Sequence, residues 1–386
     1  MRVSHVITRL IVGGAQENTA ATVLGLLHKP GVEVELISGP SSKAEGTLEG
    51  QFDAHPGALR IFPSLVRPVQ PWTDIKATRE LAREYRKSQP DIVHTHSGKA
   101  GVVGRLAARL AGVGCIVHTI HGPSFGPFQG AEKNFIYKNA ERFVGPFTTH
   151  FISVAQAMTD QYLAAGIGRP EQYTRIFSGF PLEPFLAVGR DPEMRAKLGI
   201  APNDFVITKL ARLFELKGHD DLFDAAPAIL KSVPNAKFLL IGDGPWREKF
   251  EQRASAPDLK GRFIFAGLVP PAEVPKYLGA TDVVAHLSYR EGLPRAVSQA
   301  LAAGLPVVAY DCDGACEVCL DGRTGFVVAK RDLAGLADRL AQLAREPELR
   351  EKFGAAGREF VRANFGVEKM VDEIYALYQR LLGVRQ

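Results

Sequence analysis

The 386-residue chain reads as an α/β protein built from two doubly wound domains, each a parallel sheet with helices on both faces. Three observations point there. The length exceeds what one hydrophobic core ordinarily serves. Short β-branched runs alternate with longer helical patterns from end to end. A turn-rich stretch, Ser178-Gly179-Phe180-Pro181-Leu182-Glu183-Pro184, interrupts that alternation near the middle and reads as a linker.

Strands are expected in the first half at 3–8, 32–37, 92–95, 115–120 and 151–154, each rich in Val, Ile or Thr and bounded by turn residues. The second series falls at 205–210, 237–241, 262–265, 283–287, 306–310 and 325–328. The final segment, 368–382, is amphipathic at helical spacing. In such sheets ligands bind beyond the carboxyl ends of the strands, so two sheets facing each other would share one deep cleft. No internal repeat or low-complexity tract interrupts the pattern.

Composition narrows the function classes. Hydrophobic residues make up 46% and charged residues 23% of the chain. No apolar run reaches the ~18 residues of a membrane-spanning helix, so integral insertion is not expected. The first ten residues alternate polar and apolar and lack the basic-then-apolar order of a secretory signal, and a cytoplasmic location is expected. There are four cysteines, three of them between Cys312 and Cys319; this is not the spread of a disulfide framework, and reduced thiols are expected.

The net charge of +5 is mild, yet basic residues gather in the first half: Arg79, Arg83, Arg86, Lys87, Lys99, Arg105, Arg109, Lys133, Lys138 and Arg142. Either these are solvated helix faces or they attract the protein to an anionic membrane surface, at its inner face, or to a phosphate-bearing acceptor. No aromatic-basic interleaving suited to stacking bases accompanies them, so nucleic acid is not an expected partner.

The chemistry-bearing residues fall at strand ends. Gly13-Gly14-Ala15-Gln16-Glu17 follows the first strand and opens a helix, where glycine permits close approach of a ligand and free N–H groups suit a phosphate. The G-x-G-x-x-G dinucleotide pattern is absent, which disfavours a nicotinamide cofactor. After the first strand of the second half come Arg212 and, five residues on, Lys217-Gly218. Fixed Arg and Lys donors can stabilise a departing diphosphate without a metal ion. Gly242-Asp243-Gly244-Pro245 ends another strand, with Asp243 placed to cap a helix and proline suited to its first turn. Ser288-Tyr289-Arg290-Glu291-Gly292-Leu293-Pro294 leads into a helix carrying Gln299, eight residues after Glu291. A carboxylate and a polar side chain so spaced could hold a sugar and a ribose.

Taken together, Gly13-Gly14-Ala15-Gln16, Asp91-Ile92-Val93-His94-Thr95-His96, Thr119-Ile120-His121-Gly122, Arg212 with Lys217-Gly218, Ile241-Gly242-Asp243-Gly244-Pro245 and Glu291-Gly292-Leu293-Pro294 resemble, in order and over both halves, the family 4 type of retaining glycosyltransferase with the GT-B fold. The resemblance implies two Rossmann-like domains facing across a cleft: 1–180 for the acceptor, 187–366 for a nucleotide-sugar, and a terminal helix at 367–386 packing back on the first. It implies transfer of a hexosyl-type sugar from a UDP- or GDP-sugar to a glycan or lipid-linked acceptor, in surface polysaccharide or glycolipid assembly, with no cofactor and no metal.

By the same resemblance Gly13, Gly14, Arg212 and Lys217 contact the donor diphosphate, Glu291 the transferred sugar, and His121 the region of the reacting carbon. Gly242, Gly292, Leu293 and Pro294 line the donor. No protein nucleophile is expected, and a donor phosphate oxygen is thought to take the acceptor proton. The family's second Glu, which binds the ribose, is Gln299 here: hydrogen bonding survives and a charge-assisted bond is lost. A sugar-nucleotide epimerase and a non-catalytic partner subunit are the alternatives on the same fold; Gln299 alone favours the latter.

Two patterns point elsewhere. Cys312-x3-Cys316-x2-Cys319 has the spacing of a radical-SAM cluster site, but it lies late in the chain at a helix start where the family has a Gly-x-x-Glu segment. Asp311-Cys312-Asp313 mimics the Asp-x-Asp metal site of the other glycosyltransferase fold. The stretch 134–144 carries Lys138 and Arg142 beside Phe135, Tyr137 and Phe143, a face for either core packing or a lipid-linked acceptor at the membrane.

Overall fold

The computed structural model describes residues 1–41 and 46–383. It contains two compact units: one spans Met1–Phe180 together with the segment from Gly366 onward, the other Pro181–Phe365.

The first unit runs β1 (Arg2–Ile7), α1 (Gly14–Leu26), β2 (Glu33–Ser38), β3 (Leu59–Ile61), α2 (Pro71–Ser88), β4 (Ile92–His96), α3 (Gly98–Ala111), β5 (Cys115–Ile120), α4 (Ala131–Val144), β6 (His150–Ser153), α5 (Gln156–Ala164) and β7 (Tyr173–Arg175). Its seven strands lie in the order β3-β2-β1-β4-β5-β6-β7, and every pairing is parallel. The second unit runs α6 (Glu183–Leu186), α7 (Pro192–Lys197), β8 (Phe205–Leu210), α8 (His219–Ser232), β9 (Ala236–Ile241), α9 (Arg247–Ala254), β10 (Phe263–Gly267), α10 (Val274–Gly279), β11 (Val283–His286), α11 (Arg295–Ala302), β12 (Val307–Tyr310), β13 (Gly325–Val328), α12 (Leu333–Arg345) and α13 (Pro347–Asn364). Its sheet order is β10-β9-β8-β11-β12-β13, again parallel throughout.

Strand residues buried on both faces account for the near-continuous apolar runs, as in β12, Val307 to Tyr310, all fully buried. The two elements that sequence reading missed, β3 and β7, are three-residue strands at the edges of the first sheet. Their half-exposed residues lack the apolar run that marks a central strand.

The last helix, α14 (Val367–Leu381), returns to the first unit. The three terminal positions of the expected 367–386 segment lie outside the described residues. Met370, Val371, Ile374, Leu377 and Tyr378 form its buried stripe, at the i, i+3, i+4, i+7 spacing of one helix face. Gly25 of α1 permits the approach, since a Cβ there would sit 2.5 Å from a methyl of Val371. Burying each of these apolar chains stabilises by roughly 1.5–3 kcal/mol, against about 1 kcal/mol of lost rotamer freedom, so packing holds the helix in place.

One basic residue counted above as surface charge belongs to the interior. Arg105 is fully buried, its guanidinium bonded to Gly101 O at 2.8 Å, Thr148 Oγ1 at 3.3 Å and Glu141 Oε2 at 2.5 Å. A lone charge at that depth would be untenable, and the paired carboxylate makes it tolerable.

Candidate functional site

Each sheet reverses its winding direction once, between β1 and β4 in the first unit and between β8 and β11 in the second. The loops leaving those strands diverge there and open a crevice at their carboxyl ends. Nearly every site residue read from the sequence lies on one of these loops or on the helix that follows.

In the second unit, the loop after β8 carries Arg212 and Lys217, and the loop after β11 carries Glu291. Lys217 Nζ donates to Glu291 Oε1 at 2.6 Å, and His286 Nε2 stands 3.6 Å from the same oxygen. Burial alone would raise the Glu291 carboxyl; the Lys217 charge and hydrogen bonds override it, and its pKa is held below the usual carboxylate value. Glu291 is therefore an ionised, fixed acceptor. Arg212 is exposed and makes no ion pair among the described residues; its guanidinium lies 5.7 Å from the Phe214 ring centroid.

The loops are shaped by backbone that only a tight packing explains. Gly218 has φ +66°, and a Cβ there would sit 1.9 Å from Leu287 O, so glycine is required where the Lys217 loop crosses the end of β11. Gly242 and Gly244 press against the Arg212 loop in the same way, at 2.2 Å from Ala211 O and 2.3 Å from Leu213 O. The expected cap at Asp243 is not formed: α9 starts at Arg247, and Asp243 Oδ1 accepts instead from Gly244 N at 2.7 Å while Oδ2 meets Arg247 at 3.2 Å. The Gly-Asp-Gly turn is used to clamp the neighbouring loop, which delays the helix. Five non-glycine residues have positive φ among those described, and Ser97, Leu216 and Asp313 of these sit on site loops, the kind of strain that surrounding structure must impose.

Gly292 and Pro294 are buried, and Pro294 is the N-cap of α11. Gln299 lies half-buried on α11, and its side-chain amide has no protein partner among the described residues.

Three features escaped sequence reading. Asp313, taken there as half of a metal-site mimic, accepts a hydrogen bond from Glu291 N at 2.8 Å and so positions the Glu291 loop from 22 residues away. Lys209 is fully buried on β8 with no hydrogen-bond partner for Nζ among the described residues. Burial first, then repulsion from Lys217, lowers its ammonium to about 7. Asp221, in the first turn of α8, accepts from Tyr289 at 2.5 Å and Tyr310 at 2.6 Å. Each depends on contacts remote in sequence. Cys312, Cys316 and Cys319 are free thiols; Cys319 Sγ donates to Val307 O and Phe326 O, both at 3.6 Å, and burial raises all three pKa values.

In the first unit, Gly13 precedes α1 and Gly14 begins it. A Cβ on Gly14 would meet nothing within 4 Å, so the fold itself does not demand glycine there. The space left beside the first N–H groups of α1 would admit a ligand. His121 follows β5 and is half-buried, its Nε2 3.0 Å from His96 Nδ1. Burial lowers its pKa to about 3, so the ring is neutral. Behind it stand His96, His5 and His94, all fully buried. Among the described residues these last three form the one group of His, Cys, Asp or Glu whose ligating atoms, all within 4.8 Å of one another, could surround a metal ion. His5 Nδ1 and His96 Nε2 already meet at 2.9 Å, and both His94 nitrogens are engaged, by Tyr378 and Thr119.

Sequence models of two families match the chain: "Glycosyl transferase 4-like domain" over residues 13–178 and "Glycosyl transferases group 1" over 190–360. The chain is similar to the UDP-Gal:alpha-D-GlcNAc-diphosphoundecaprenol alpha-1,3-galactosyltransferase of Escherichia coli, 28% identical over 98% of this chain and 96% of that one. It is also similar to the GDP-mannose-dependent alpha-(1-6)-phosphatidylinositol monomannoside mannosyltransferase of Mycobacterium tuberculosis, 29% identical over 78% of each. Among solved structures, Anabaena HepE in complex with UDP superposes with a TM-score of 0.81 at 22% identity, over 98% of this chain and 100% of that one.

Proposed function

Because the chain belongs to the family 4 type, group 1 glycosyltransferases of the GT-B fold, we propose that it moves a hexosyl-type sugar from a UDP- or GDP-sugar to a glycan or lipid-linked acceptor, with retention of configuration and without a metal ion. The observation that carries this reading is the Lys217–Glu291 pair at 2.6 Å beside the unpaired Arg212, at the reversal point of the second sheet. The two cations match a diphosphate leaving group and supply the charge that a metal would otherwise bring. Glu291, tied to an ammonium, is a weak nucleophile and a good acceptor for sugar hydroxyls, so its role is to orient the sugar. The amides of Gly292 and Leu293 and the side chain of Gln299 complete the donor contacts of this unit. In the first unit, Gly13 and Gly14 offer amides to a phosphate and His121 a neutral hydrogen-bonding ring.

Both alternatives lose ground to the relatives, whose names describe transferases of lipid-linked or glycolipid substrates. A thermal-shift series tests the donor assignment, because a ligand that binds only the native state raises its melting temperature. One nucleotide series among UDP, GDP and ADP and their sugars is expected to stabilise, equally with and without EDTA. Loss of the shift in EDTA would defeat the metal-free part; no shift with any nucleotide would defeat the donor site.

The acceptor proposal draws on α4. Phe135, Ile136 and Phe143 are 70%, 51% and 62% exposed on one helix face, with Arg142 alongside. That face is not core packing. No described helix is long and apolar enough to cross a membrane, and an apolar stripe flanked by cations suits one that lies on an anionic surface. In liposome flotation the protein is expected to rise with anionic vesicles and to lose at least part of that binding in Phe135→Ser/Phe143→Ser; equal recovery of both proteins would remove α4 from the membrane contact.

A further inference from the structure

Behind His121, three strands and the terminal helix bring six side chains into one unbranched chain of hydrogen bonds. Thr119 Oγ1 meets His94 Nε2 at 2.6 Å, and His94 Nδ1 meets the Tyr378 hydroxyl. That hydroxyl lies 3.2 Å from His5 Nε2; His5 Nδ1 lies 2.9 Å from His96 Nε2; and His96 Nδ1 lies 3.0 Å from His121 Nε2. Thr119, His94, Tyr378, His5 and His96 are each at most 3% exposed.

A neutral imidazole has one N–H donor and one bare nitrogen, so each link constrains the next. Every contact here joins the δ nitrogen of one ring, through at most one hydroxyl, to the ε nitrogen of the next. The four rings must therefore share one tautomer. If all carry Nε2–H, protons point inward and His94 donates to Thr119; if all carry Nδ1–H, they point outward and Thr119 donates to His94. The buried Thr119 hydroxyl decides between the two: His94 is its one hydrogen-bond partner among the described residues. The inward direction would leave that proton without an acceptor, at the cost of an unmade buried hydrogen bond.

We propose that Thr119, His94, Tyr378, His5 and His96 form a one-directional chain that locks His121 as its Nδ1–H tautomer, so that His121 faces its ligand as a hydrogen-bond donor. The five are positioning residues acting through His121, and the consequence for transfer rests on the site reading above. The tautomer itself does not. A donor at His121 suits an oxygen of a sugar or phosphate. Through His5 and His96, Tyr378 links the terminal helix to that ring, 257 positions from it in sequence.

The test uses the full ligand-free chain with ring-15N histidine, and two-bond proton–nitrogen correlations that separate Nδ1–H from Nε2–H rings. Signals of His5, His94, His96 and His121 are expected to show Nδ1–H alone. Tyr378→Phe cuts the chain between His94 and His5, and His121 is expected to change to a mixture of tautomers in a protein that still melts cooperatively. Thr119→Val removes the origin and serves if Tyr378→Phe does not fold; Thr119→Ser restores the wild-type pattern. Mixed tautomers in the wild type, an all-Nε2–H pattern, or an unchanged His121 in a folded Tyr378→Phe would overturn the proposal. So would chelator-sensitive signals showing His5, His94 and His96 bound to a metal. No sugar donor enters the measurement, so its outcome is separate from that of the thermal-shift series.

Discussion

Arg212→Ala is expected to lower kcat/KM for sugar transfer about 10²–10³-fold, the loss that follows removal of one fixed donor to developing negative charge. In the proposed reaction two cations face the leaving diphosphate, and they differ. Lys217 is partly committed to Glu291 at 2.6 Å, whereas Arg212 is exposed and has no carboxylate partner among the described residues. Its charge is therefore available in full to an incoming phosphate. The same exposure means that its loss leaves the fold intact, and a melting temperature within about 2 °C of wild type is expected. Arg212→Lys should recover part of the activity, since an ammonium supplies charge but not the planar fork of donors. Steady-state transfer from the nucleotide-sugar that best stabilises the protein is the measurement; near-normal kcat/KM in Arg212→Ala would remove this residue from the reaction.

Acidification from pH 7.5 to pH 5 is expected to unfold the first unit before the second. Burial lowers His5 and His121 to about 3, and His94, His96 and His118, likewise desolvated, in the same direction. A depressed folded pKa means that between about pH 3 and 6.5 the unfolded chain binds protons that the folded chain refuses. Stability from these groups is intact above pH 6.5 and is lost as pH falls below it. Each such histidine costs about 1.4 kcal/mol per pH unit, or about 2 kcal/mol at pH 5. His5 and His121 together then remove about 4 kcal/mol from a total that for most domains is only 5–15 kcal/mol. In the second unit His219 and His286 act with the same sign but are two against six, since burial lowers His150 of the first unit as well, to about 4. Hydrogen exchange corrected for intrinsic rates should show β1, β4 and β5 losing protection by pH 5 while β8 and β9 retain it. Equal protection at both pH values, or earlier loss in the second unit, would refute this.

Much of the candidate site's placement was legible because its residues are local. The Gly13-Gly14 turn, the Arg212 and Lys217 pair and the Glu291 loop each lie within a few residues of a strand end, and a parallel sheet places such loops at one edge by its topology alone. What stayed hidden was what distant chain segments do to those loops. Asp313 carried the spacing of a metal ligand, and only its meeting with Glu291 N shows a backbone clamp. Asp243 had the identity of a cap, yet the close approach of Gly242 and Gly244 to the Arg212 loop pushes the helix start to Arg247.

The division has a simple physical origin. Apolar periodicity and turn residues act between near neighbours, so the amino-acid order alone specified two doubly wound sheets, nearly every strand, and the loops that hold the candidate residues. Burial and hydrogen-bond partnership are properties of a packed interior. Whether α4 faces core or solvent, whether Arg105 is surface charge or buried pair, and how Tyr378 joins His5 to His94 depend on segments up to 373 positions apart, and only folding brings those together.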